Sequence, residues 1–237
     1  MNKAIIIGAT SGIGKELARV LSQHSYAIGI TGRRIHLLEE LHSELSPQSL
    51  FRQMDVSDTP TAIESLKSLI AKMGGVDLVV ISAGTGFIDN ELPWSKEKET
   101  IEVNVLGFAA TANVVYHHFV QQGSGHLVGL SSIAAIRGGD APAYNASKAF
   151  ISNYLQGLRY KVSKRNLPIT VTDIQLGLVD TAMAKGEGLF WVASPQNAAL
   201  QIYEAIKKRR KHVYITKRWR LIAWALRFMP DFIYNKL

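Results

Sequence analysis

The most constraining feature of this sequence is the regular alternation of short, apolar, β-rich runs with longer segments of helical periodicity. Seven such runs predict strands, at residues 4–8, 27–32, 49–56, 77–84, 126–132, 169–177 and 212–216. Between them, residues 14–24, 61–73, 104–122 and 148–165 carry apolar side chains at helical spacing and are long enough for crossover helices. This order predicts an α/β fold, in which a single doubly wound domain has a seven-stranded parallel sheet with helices on both faces.

The composition fits one large domain in a reducing compartment. The 237 residues are 47% hydrophobic and contain no cysteine, which excludes a disulfide framework and a thiolate nucleophile. No secretory signal is visible after Met1, and the apolar stretch near the C-terminus, interrupted by Arg227, is too short to cross a bilayer. The histidines show no metal-ligand spacing. We therefore expect a cytoplasmic protein without a metal site.

The net charge of +8 is concentrated near the C-terminus, so we divide the chain into residues 1–216, which hold all seven predicted strands, and residues 217–237, a basic amphipathic segment. In that segment one helical face collects Leu221, Trp224, Ala225 and Phe228 among arginines. Such a face suits peripheral contact with the inner, anionic surface of a membrane. The alternative is packing on its own domain or on another subunit. We expect no nucleic-acid partner, because no recognition module accompanies the charge.

A glycine-rich turn, GATSGIG, connects the first strand to the first helix. Glycines there let a pyrophosphate approach the backbone N–H groups and the helix N-terminus. The spacing differs from the usual dinucleotide fingerprint G-x-G-x-x-G, and the alternative is a tight turn that binds nothing. The predicted contacts to a cofactor are Gly8, Thr10, Ser11, Gly12, Ile13 and Gly14.

Two arginines follow the second strand, where an acidic residue would select NAD(H). Arg33 and Arg34 offer forked donors to a 2′-phosphate, and no carboxylate stands beside them in the sequence. We therefore predict NADP(H) in preference to NAD(H). The alternative is that one or both arginines only begin a solvated helix face.

Tyr144 and Lys148, in the stretch YNASK, lie four residues apart at the start of a predicted helix, so both can face one ligand. A neighbouring ammonium favours the phenolate, and we expect Lys148, aided by an oxidised nicotinamide, to lower the pKa of Tyr144. Tyr144 would then exchange a proton with a carbonyl or alcohol oxygen. On its own the pair is also compatible with an ordinary exposed helix face.

The order of these motifs, with SAG after the fourth strand and SS at the end of the fifth, resembles the short-chain dehydrogenase/reductase (SDR) family over roughly residues 1–215. The resemblance implies a Rossmann-type fold, a nicotinamide cofactor and a catalytic set of Asn104, Ser132, Tyr144 and Lys148. In that set, Ser132 would hold the substrate oxygen and Asn104 would complete a water-linked proton relay to Lys148. Further cofactor contacts implied by position are Asp55, Val56, Ser82, Ala83, Gly84, Val179 and Thr181.

The serine assignment has an alternative, because Ser132 lies one residue closer to Tyr144 than is common in the family, and counting back from Tyr144 would select Ser131. We prefer Ser132, since a deletion is absorbed more easily in the following loop than within a paired strand.

Residues 180–194 show no clear period, and we predict a loop over the site. Its Phe190 and Trp191 either line a substrate pocket or pack as ordinary apolar residues.

We therefore predict an oxidoreductase that transfers a hydride between NADP(H) and a small to medium, apolar carbonyl or alcohol substrate. We expect it to form a homodimer or homotetramer. The alternative is a non-catalytic NADP(H)-binding sensor or scaffold protein.

Overall fold

The computed structural model describes residues 1–181 and 190–235. The strands are β1 Lys3–Ile7, β2 Ala27–Gly32, β3 Leu50–Gln53, β4 Leu78–Ile81, β5 Gly125–Ser132, β6 Ile169–Leu176 and β7 His212–Ile215. The helices are α1 Gly12–Gln23, α2 Ile35–Glu44, α3 Thr59–Lys72, α4 Trp94–Ile101, α5 Phe108–Gln122, α6 Pro142–Lys164, α7 Pro195–Lys207, α8 Trp219–Phe228 and α9 Asp231–Tyr234.

The strands form one parallel sheet in the order β3-β2-β1-β4-β5-β6-β7. This arrangement confirms the predicted seven-stranded, doubly wound α/β fold. The chain leaves β1 toward one edge of the sheet and returns at β4 to build the other half. A crevice therefore opens where β1 and β4 lie side by side, at the carboxyl ends of the strands.

Several strands are shorter than the sequence predicted. β3 ends at Gln53 rather than at residue 56, and β4 ends at Ile81 rather than at residue 84. The remaining residues form turns at the carboxyl edge; for example, the backbone N–H groups of Ser82 and Ala83 both donate to the carbonyl oxygen of Ile7. Small and apolar residues continue past each strand, so the sequence pattern does not mark where pairing stops.

Two apolar layers enclose the sheet. Leu17, Leu38 and Ile202 come from α1, α2 and α7 and are fully buried against one face. The opposite layer contains Leu66 and Phe108, from α3 and α5, together with side chains of α6. Since both faces are covered, the central strands are apolar along their whole length, as expected for a parallel sheet.

The segment between α4 and α5 is a π-helix, Glu102–Gly107, where the sequence predicted the beginning of one continuous helix. Gly107, at its end, lies against the segment that follows β3, and a Cβ at Gly107 would lie 2.6 Å from the carbonyl oxygen of Val56. Single π-helical turns occur often at functional sites. Asn104, the predicted relay residue, lies in this turn and is fully buried.

The C-terminal segment packs on the carboxyl edge of the sheet through Trp219, which is 2% exposed. Its indole covers Gly177, where a Cβ would lie 2.1 Å from the ring. Gly177 therefore cannot be replaced by a larger residue without moving α8. Across residues 1–181 and 190–235, the structure contains no helix with the length and apolar character of a membrane span.

Candidate functional site

A cleft of about 1190 Å³ occupies the crevice at the carboxyl ends of β1 and β4. Nearly all of the sequence-predicted site residues line it, from the glycine-rich turn, the two arginines and the turns after β3, β4 and β6 to Tyr144, Lys148 and Ser132. Gly14 and Asn104 are the predicted residues outside its lining. One cleft thus brings together motifs that are separated by up to about 170 residues of chain.

The glycine-rich turn is tight enough to require glycine. Gly8 and Gly12 have φ angles of 89° and 54°. A Cβ at Gly8 would lie 2.5 Å from the backbone nitrogen of Ala83, and one at Gly14 would lie 2.1 Å from the carbonyl oxygen of Gly8. Gly14 therefore acts behind the wall of the cleft, by letting α1 pack against the turn.

The N-terminus of α1 faces the cleft with Ser11 at its N-cap. Within the described part of the chain, no side-chain hydrogen bond caps this end of the helix. Its first amide groups can therefore bind an anion, which the helix dipole also favours. Thr181 packs beside the turn, with its Cγ2 3.2 Å from the position of a Cβ at Gly12. These residues fit a pyrophosphate.

The two arginines occupy different positions beside this turn. Arg34 lies across it, and its Nη2 donates to the hydroxyls of Thr10 at 2.7 Å and Ser11 at 2.8 Å. Arg33 is exposed, and its Nη1 lies 3.9 Å from Oε1 of Glu99. Both line the cleft. Arg34 therefore places a cationic group directly at the glycine-rich turn, where it can pair with an anion.

The remaining predicted cofactor contacts form the floor and far wall. Asp55 is held by Ser57, which donates to its Oδ1 from the backbone N–H at 2.9 Å and from the hydroxyl at 2.7 Å. Val179 is buried and pairs with Ala193 in an isolated bridge. Val56, Ser82, Ala83 and Gly84 complete the surface between these residues.

Tyr144 and Lys148 lie in the first turns of α6, and Lys148 Nζ is 5.5 Å from the centre of the Tyr144 ring. Nζ donates to the carbonyl oxygen of Leu130 at 3.1 Å, which holds the amine against the end of β5. Burial lowers the pKa of Lys148 to about 8, while the carboxylate of Asp173 acts to raise it. The amine therefore titrates close to neutral pH.

The pKa of Tyr144 differs from the sequence expectation. Burial raises the pKa of the phenol, and a hydrogen bond with Ser132 acts in the opposite direction. In the protein on its own, the expected lowering by Lys148 is not found, because desolvation of the phenolate is the largest effect. Tyr144 is therefore a protonated group, ready to donate.

The neighbouring serines point to different sides of β5. The Ser132 hydroxyl lies in the cleft, donates to the carbonyl oxygen of Leu176 at 3.2 Å and accepts from the backbone N–H of Ala134 at 3.1 Å. Ser131 is fully buried, and its hydroxyl donates to Oδ1 of Asp173 at 2.5 Å. The geometry thus favours Ser132 over Ser131 as the residue that can contact a substrate.

Asn104 is fixed by hydrogen bonds on both ends of its side-chain amide. Its Oδ1 accepts from the backbone N–H of Thr85 at 2.9 Å, and its Nδ2 donates to the carbonyl oxygen of Thr85 at 2.7 Å and to Ser147 Oγ at 2.9 Å. A Cβ at Gly84 would lie 3.3 Å from Asn104 Oδ1 and 3.4 Å from Lys148 Nζ. Asn104, outside the lining of the cleft, and Lys148, within it, therefore approach the same glycine.

Sequence reasoning missed several residues of the site. A Cβ at Gly86 would lie 2.4 Å from Cδ2 of the Tyr144 ring, so Gly86 provides the space for the phenol. Leu226 and Tyr234, from the C-terminal segment, line the open end of the cleft with Ile133. No local signal marks Leu226 or Tyr234, since only the fold brings them there. Gly86, two residues beyond the SAG motif, could have been suspected from its position.

The predicted loop at residues 180–194 is described only in part, and residues 182–189 lie outside the described residues. Of its two aromatic residues, Phe190 stacks on Trp219 with ring centres 5.2 Å apart, and Trp191 meets Trp219 edge-on at 6.1 Å. Their rings thus belong to an aromatic cluster beside α8, which supports packing rather than a pocket-lining role. Within the described residues, no cluster of three His, Asp or Glu side chains is arranged to hold a metal ion.

Comparisons with known proteins match the same region. A sequence model of the family described as short chain dehydrogenase matches residues 2–189. An uncharacterised oxidoreductase of Myxococcus xanthus is 38% identical over 187 residues, which are 76% of this chain and 73% of that protein. The structure of serine dehydrogenase from Escherichia coli superimposes with a TM-score of 0.75 at 26% identity, covering 86% of this chain and 90% of that one. An alcohol dehydrogenase from the archaeon Thermococcus sibiricus, solved with 5-hydroxy-NADP, gives a TM-score of 0.78 at 24% identity, covering 90% and 95%.

Proposed function

Because the chain belongs to the short-chain dehydrogenase family of oxidoreductases, we propose that it transfers a hydride between NADP(H) and a carbonyl or alcohol substrate. The observation that carries the proposal is the convergence of Tyr144, Ser132 and Lys148 at one cleft, opposite a glycine-rich turn shaped for a pyrophosphate. A proton donor, a hydroxyl and an amine so placed form an acid–base site.

In the direction of reduction, the Tyr144 phenol donates its proton to the carbonyl oxygen of the substrate. The nicotinamide, when bound, supplies the hydride to the carbonyl carbon. Ser132 donates a second hydrogen bond to the same oxygen by turning its hydroxyl away from the Leu176 carbonyl. Both donors stabilise the negative charge that develops on that oxygen in the transition state. In oxidation, Tyr144 accepts the alcohol proton.

Lys148 supports this exchange in two ways. Its ammonium stabilises the phenolate that Tyr144 becomes after donation, and its remaining N–H groups can hydrogen-bond a cofactor ribose. With a pKa near 8, the amine can also pass a proton toward Tyr144 at neutral pH. Asn104, held by Thr85 and Ser147, fixes the backbone of the π-helical turn behind this amine. A water bound there would complete the relay.

The preference for NADP(H) is supported by the position of Arg34. Its guanidinium already bonds two hydroxyls of the glycine-rich turn, so it needs little reorganisation to meet a 2′-phosphate. Arg33, on the rim of the same cleft, adds positive charge, although Glu99 lies close to it. The residues that follow β2 are arginines, whereas NAD(H) is selected by an acidic residue there that binds a ribose hydroxyl.

The substrate class is proposed from the open end of the cleft. Its lining includes five apolar or aromatic residues, Phe87, Ile88, Ile133, Leu226 and Tyr234. Asp140, Lys96 and Arg137 also line the cleft, but the two cations are already paired with Asp89 and Asp231. A small to medium apolar ketone, aldehyde or alcohol fits this surface better than a charged metabolite. A homodimer or homotetramer in the cytoplasm is part of the proposal, and exposed apolar side chains away from the cleft, such as Leu106 and Tyr160, support it.

The proposal is tested by following NADPH absorbance with a panel of apolar ketones, aldehydes, quinones and 3-oxoacyl thioesters. The wild type should oxidise NADPH with at least one of them. Tyr144→Phe, which removes only the hydroxyl, should lose turnover by at least about 100-fold while binding NADPH as before. Equal turnover by both proteins would refute the role of Tyr144. NADPH binding with no turnover by either would favour the alternative, a non-catalytic sensor or scaffold.

A separate experiment tests the cofactor preference. Removing one charge-assisted contact to a phosphate costs about 1.5–3 kcal/mol, so Arg34→Ala should weaken NADPH binding roughly 10- to 100-fold and leave NADH binding almost unchanged. Arg33→Ala should show a smaller loss. Arg52→Ala, an exposed arginine on β3 outside the cleft, is the matched control. An unchanged ratio of NADPH to NADH affinity in both variants would contradict the preference.

A further inference from the structure

Helix α8 is apolar on two opposite sides. Trp219 and Ala223 are 2% and 1% exposed and pack against the domain. Leu221, Trp224 and Phe228, on the other side, are 69%, 68% and 65% exposed, and the rings of Trp224 and Phe228 lie 5.0 Å apart. We refer to these three residues as the outer face of α8. The helix thus buries one apolar side and presents a second one to the surroundings, which a helix that packs only on its own domain does not do.

The outer face is held in this orientation by the segment that follows it. Arg137 donates to the carbonyl oxygen of Met229 at 2.5 Å and pairs with Asp231, and the Tyr234 hydroxyl donates to the carbonyl oxygen of Gly138. Rotating α8 to bury its outer face would break these bonds and withdraw Trp219 from Gly177. The outer face is therefore a fixed surface, and a partner must come from outside the fold.

Positive charge borders the outer face. With about 100° between successive residues, Arg220 and Arg227 fall side by side along one flank of the apolar stripe, and Lys217 and Arg218 precede it. All four are exposed. Among the described residues, none of them forms a salt bridge, and the nearby Asp231 is taken by Arg137. An apolar stripe with a tryptophan and unneutralised arginines at its border complements a surface that is apolar inside and anionic at its rim.

We propose that the outer face of α8 docks the protein on the surface of a lipid bilayer that contains anionic headgroups. Leu221, Trp224 and Phe228 insert at the boundary between headgroups and acyl chains, while Arg220 and Arg227 lie at the phosphates. Phe232 and Ile233, exposed on the next helix, extend the apolar surface. Leu226, on the inner side of the same helix, lines the cleft, so docking places the cleft across α8 from the bilayer. The proposal does not depend on the identity of the substrate.

Sedimentation with vesicles tests the proposal on the full chain. Vesicles of phosphatidylcholine and phosphatidylglycerol at about 3:1 should bind the protein, and those of phosphatidylcholine alone should bind it much less. Arg220→Gln with Arg227→Gln should weaken binding roughly 30-fold, since each basic residue near an anionic surface contributes about a factor of five. Leu221→Ser with Trp224→Ser and Phe228→Ser should abolish binding. Trp94→Ser, which removes an equally exposed tryptophan on α4, should have no effect.

Several results would overturn the proposal. One is binding that stays the same in both sets of variants, and another is wild-type protein that does not sediment with anionic vesicles. A third result is that neither protein binds vesicles, while the wild type is an oligomer and the triple serine variant is a monomer. A second copy of the chain would then cover the outer face. The two arginine replacements leave the apolar packing intact, so they test the charge contribution even if the triple variant folds poorly. NADPH binding, measured in parallel, shows which variants are folded.

Discussion

Ser131 and Ser132 show how strongly position decides the role of a single residue. They are adjacent on β5, yet one hydroxyl bonds a buried carboxylate and the other lies in the cleft. Since side chains alternate along a strand, neighbouring residues cannot both face the same ligand. The sequence alone leaves two candidates for the catalytic serine. The structure gives the two serines different surroundings, so measurements of kinetics and stability can distinguish them.

Replacing each serine by alanine should separate the two roles. Ser132→Ala removes a donor to the substrate oxygen, and kcat should fall by roughly 100- to 1000-fold. Its free energy of unfolding should fall by only about 0.5–1.5 kcal/mol, from the lost hydrogen bonds to Leu176 and Ala134. Ser131→Ala leaves the Asp173 carboxylate without its hydroxyl donor, which should cost about 1–3 kcal/mol of stability and little activity. Steady-state kinetics and urea unfolding of both variants provide the measurement. The reverse pattern would assign catalysis to Ser131.

Burial of the Lys148 amine, which the proposed function requires, lowers the free energy of unfolding. Its pKa of about 8, compared with the ordinary 10.5, corresponds to about 3 kcal/mol that the folded protein loses by burying the ammonium. Below pH 8 the amine is charged in both states, so the whole cost is present. Between about pH 8 and 10.5 the unfolded chain holds a proton that the folded one has released, and the stability contributed by this residue rises with pH.

Lys148→Met should therefore abolish turnover and yet stabilise the protein at neutral pH. The gain should approach 3 kcal/mol at about pH 7, reduced by the lost hydrogen bond to Leu130, and should disappear near pH 10.5. Urea unfolding at several pH values measures it. Lys161→Met, an exposed lysine on the same helix, should show no such pH dependence. Destabilisation by Lys148→Met at pH 7 would contradict this account.

At the scale of elements, α6 depends on a glycine that lies outside it. The Tyr144 ring projects from the first turn of α6 against Gly86, in the segment after β4. A methyl group at Gly86 would overlap with the ring. Because the methyl group is attached to the backbone, we expect the phenol to be the group that moves. The position of the proton donor is thus set jointly by a helix and by a loop.

Gly86→Ala should lower kcat by at least about tenfold, because displacing a catalytic group by around 1 Å has a large effect on the rate. NADPH affinity should change much less. The matched control is Gly157→Ala, within α6, where a Cβ meets no atom within 4 Å. That variant should keep its activity and gain about 0.5–1 kcal/mol of stability, since alanine is the better helix residue. Equal kcat in the two variants would show that Gly86 does not position Tyr144.

The sequence predicts features that depend on neighbouring residues, and it misses features that depend on contacts between distant parts of the chain. The seven strands and the long helices were predicted because buried parallel strands and amphipathic helices leave periodic signals. The π-helical turn at Asn104 was missed, since its apolar spacing continues that of α5 and its one close packing contact, between Gly107 and Val56, joins residues about 50 positions apart in the chain. The predicted lowering of the Tyr144 pKa is not found in the protein on its own for a related reason, because burial is a property of the fold rather than of the motif.

At the scale of the whole molecule, the C-terminal segment connects stability, the substrate end of the cleft and the proposed membrane surface. Trp219 seals the edge of the sheet over Gly177, Leu226 and Tyr234 line the cleft, and the outer face of α8 remains exposed. The predicted cofactor contacts that line the cleft all lie at or before residue 181, and none of them belongs to this segment. Perturbing the segment should therefore affect the substrate and the cofactor differently.

Two variants separate these contributions. Deleting residues 217–237 removes the buried Trp219 indole and should destabilise the domain by about 3–5 kcal/mol.

Arg137→Gln should instead release α9, because it breaks the ion pair with Asp231 and the bond to the Met229 carbonyl while Trp219 stays packed. We expect this variant to have nearly wild-type stability and NADPH affinity but a KM for apolar substrates raised roughly tenfold, since Arg137 and Tyr234 both line the cleft and neither would keep its position. Thermal unfolding, NADPH titration and steady-state kinetics measure the three quantities. If KM stayed constant in Arg137→Gln while NADPH affinity fell, the segment would act on the cofactor, and the division of the cleft into two ends would be wrong.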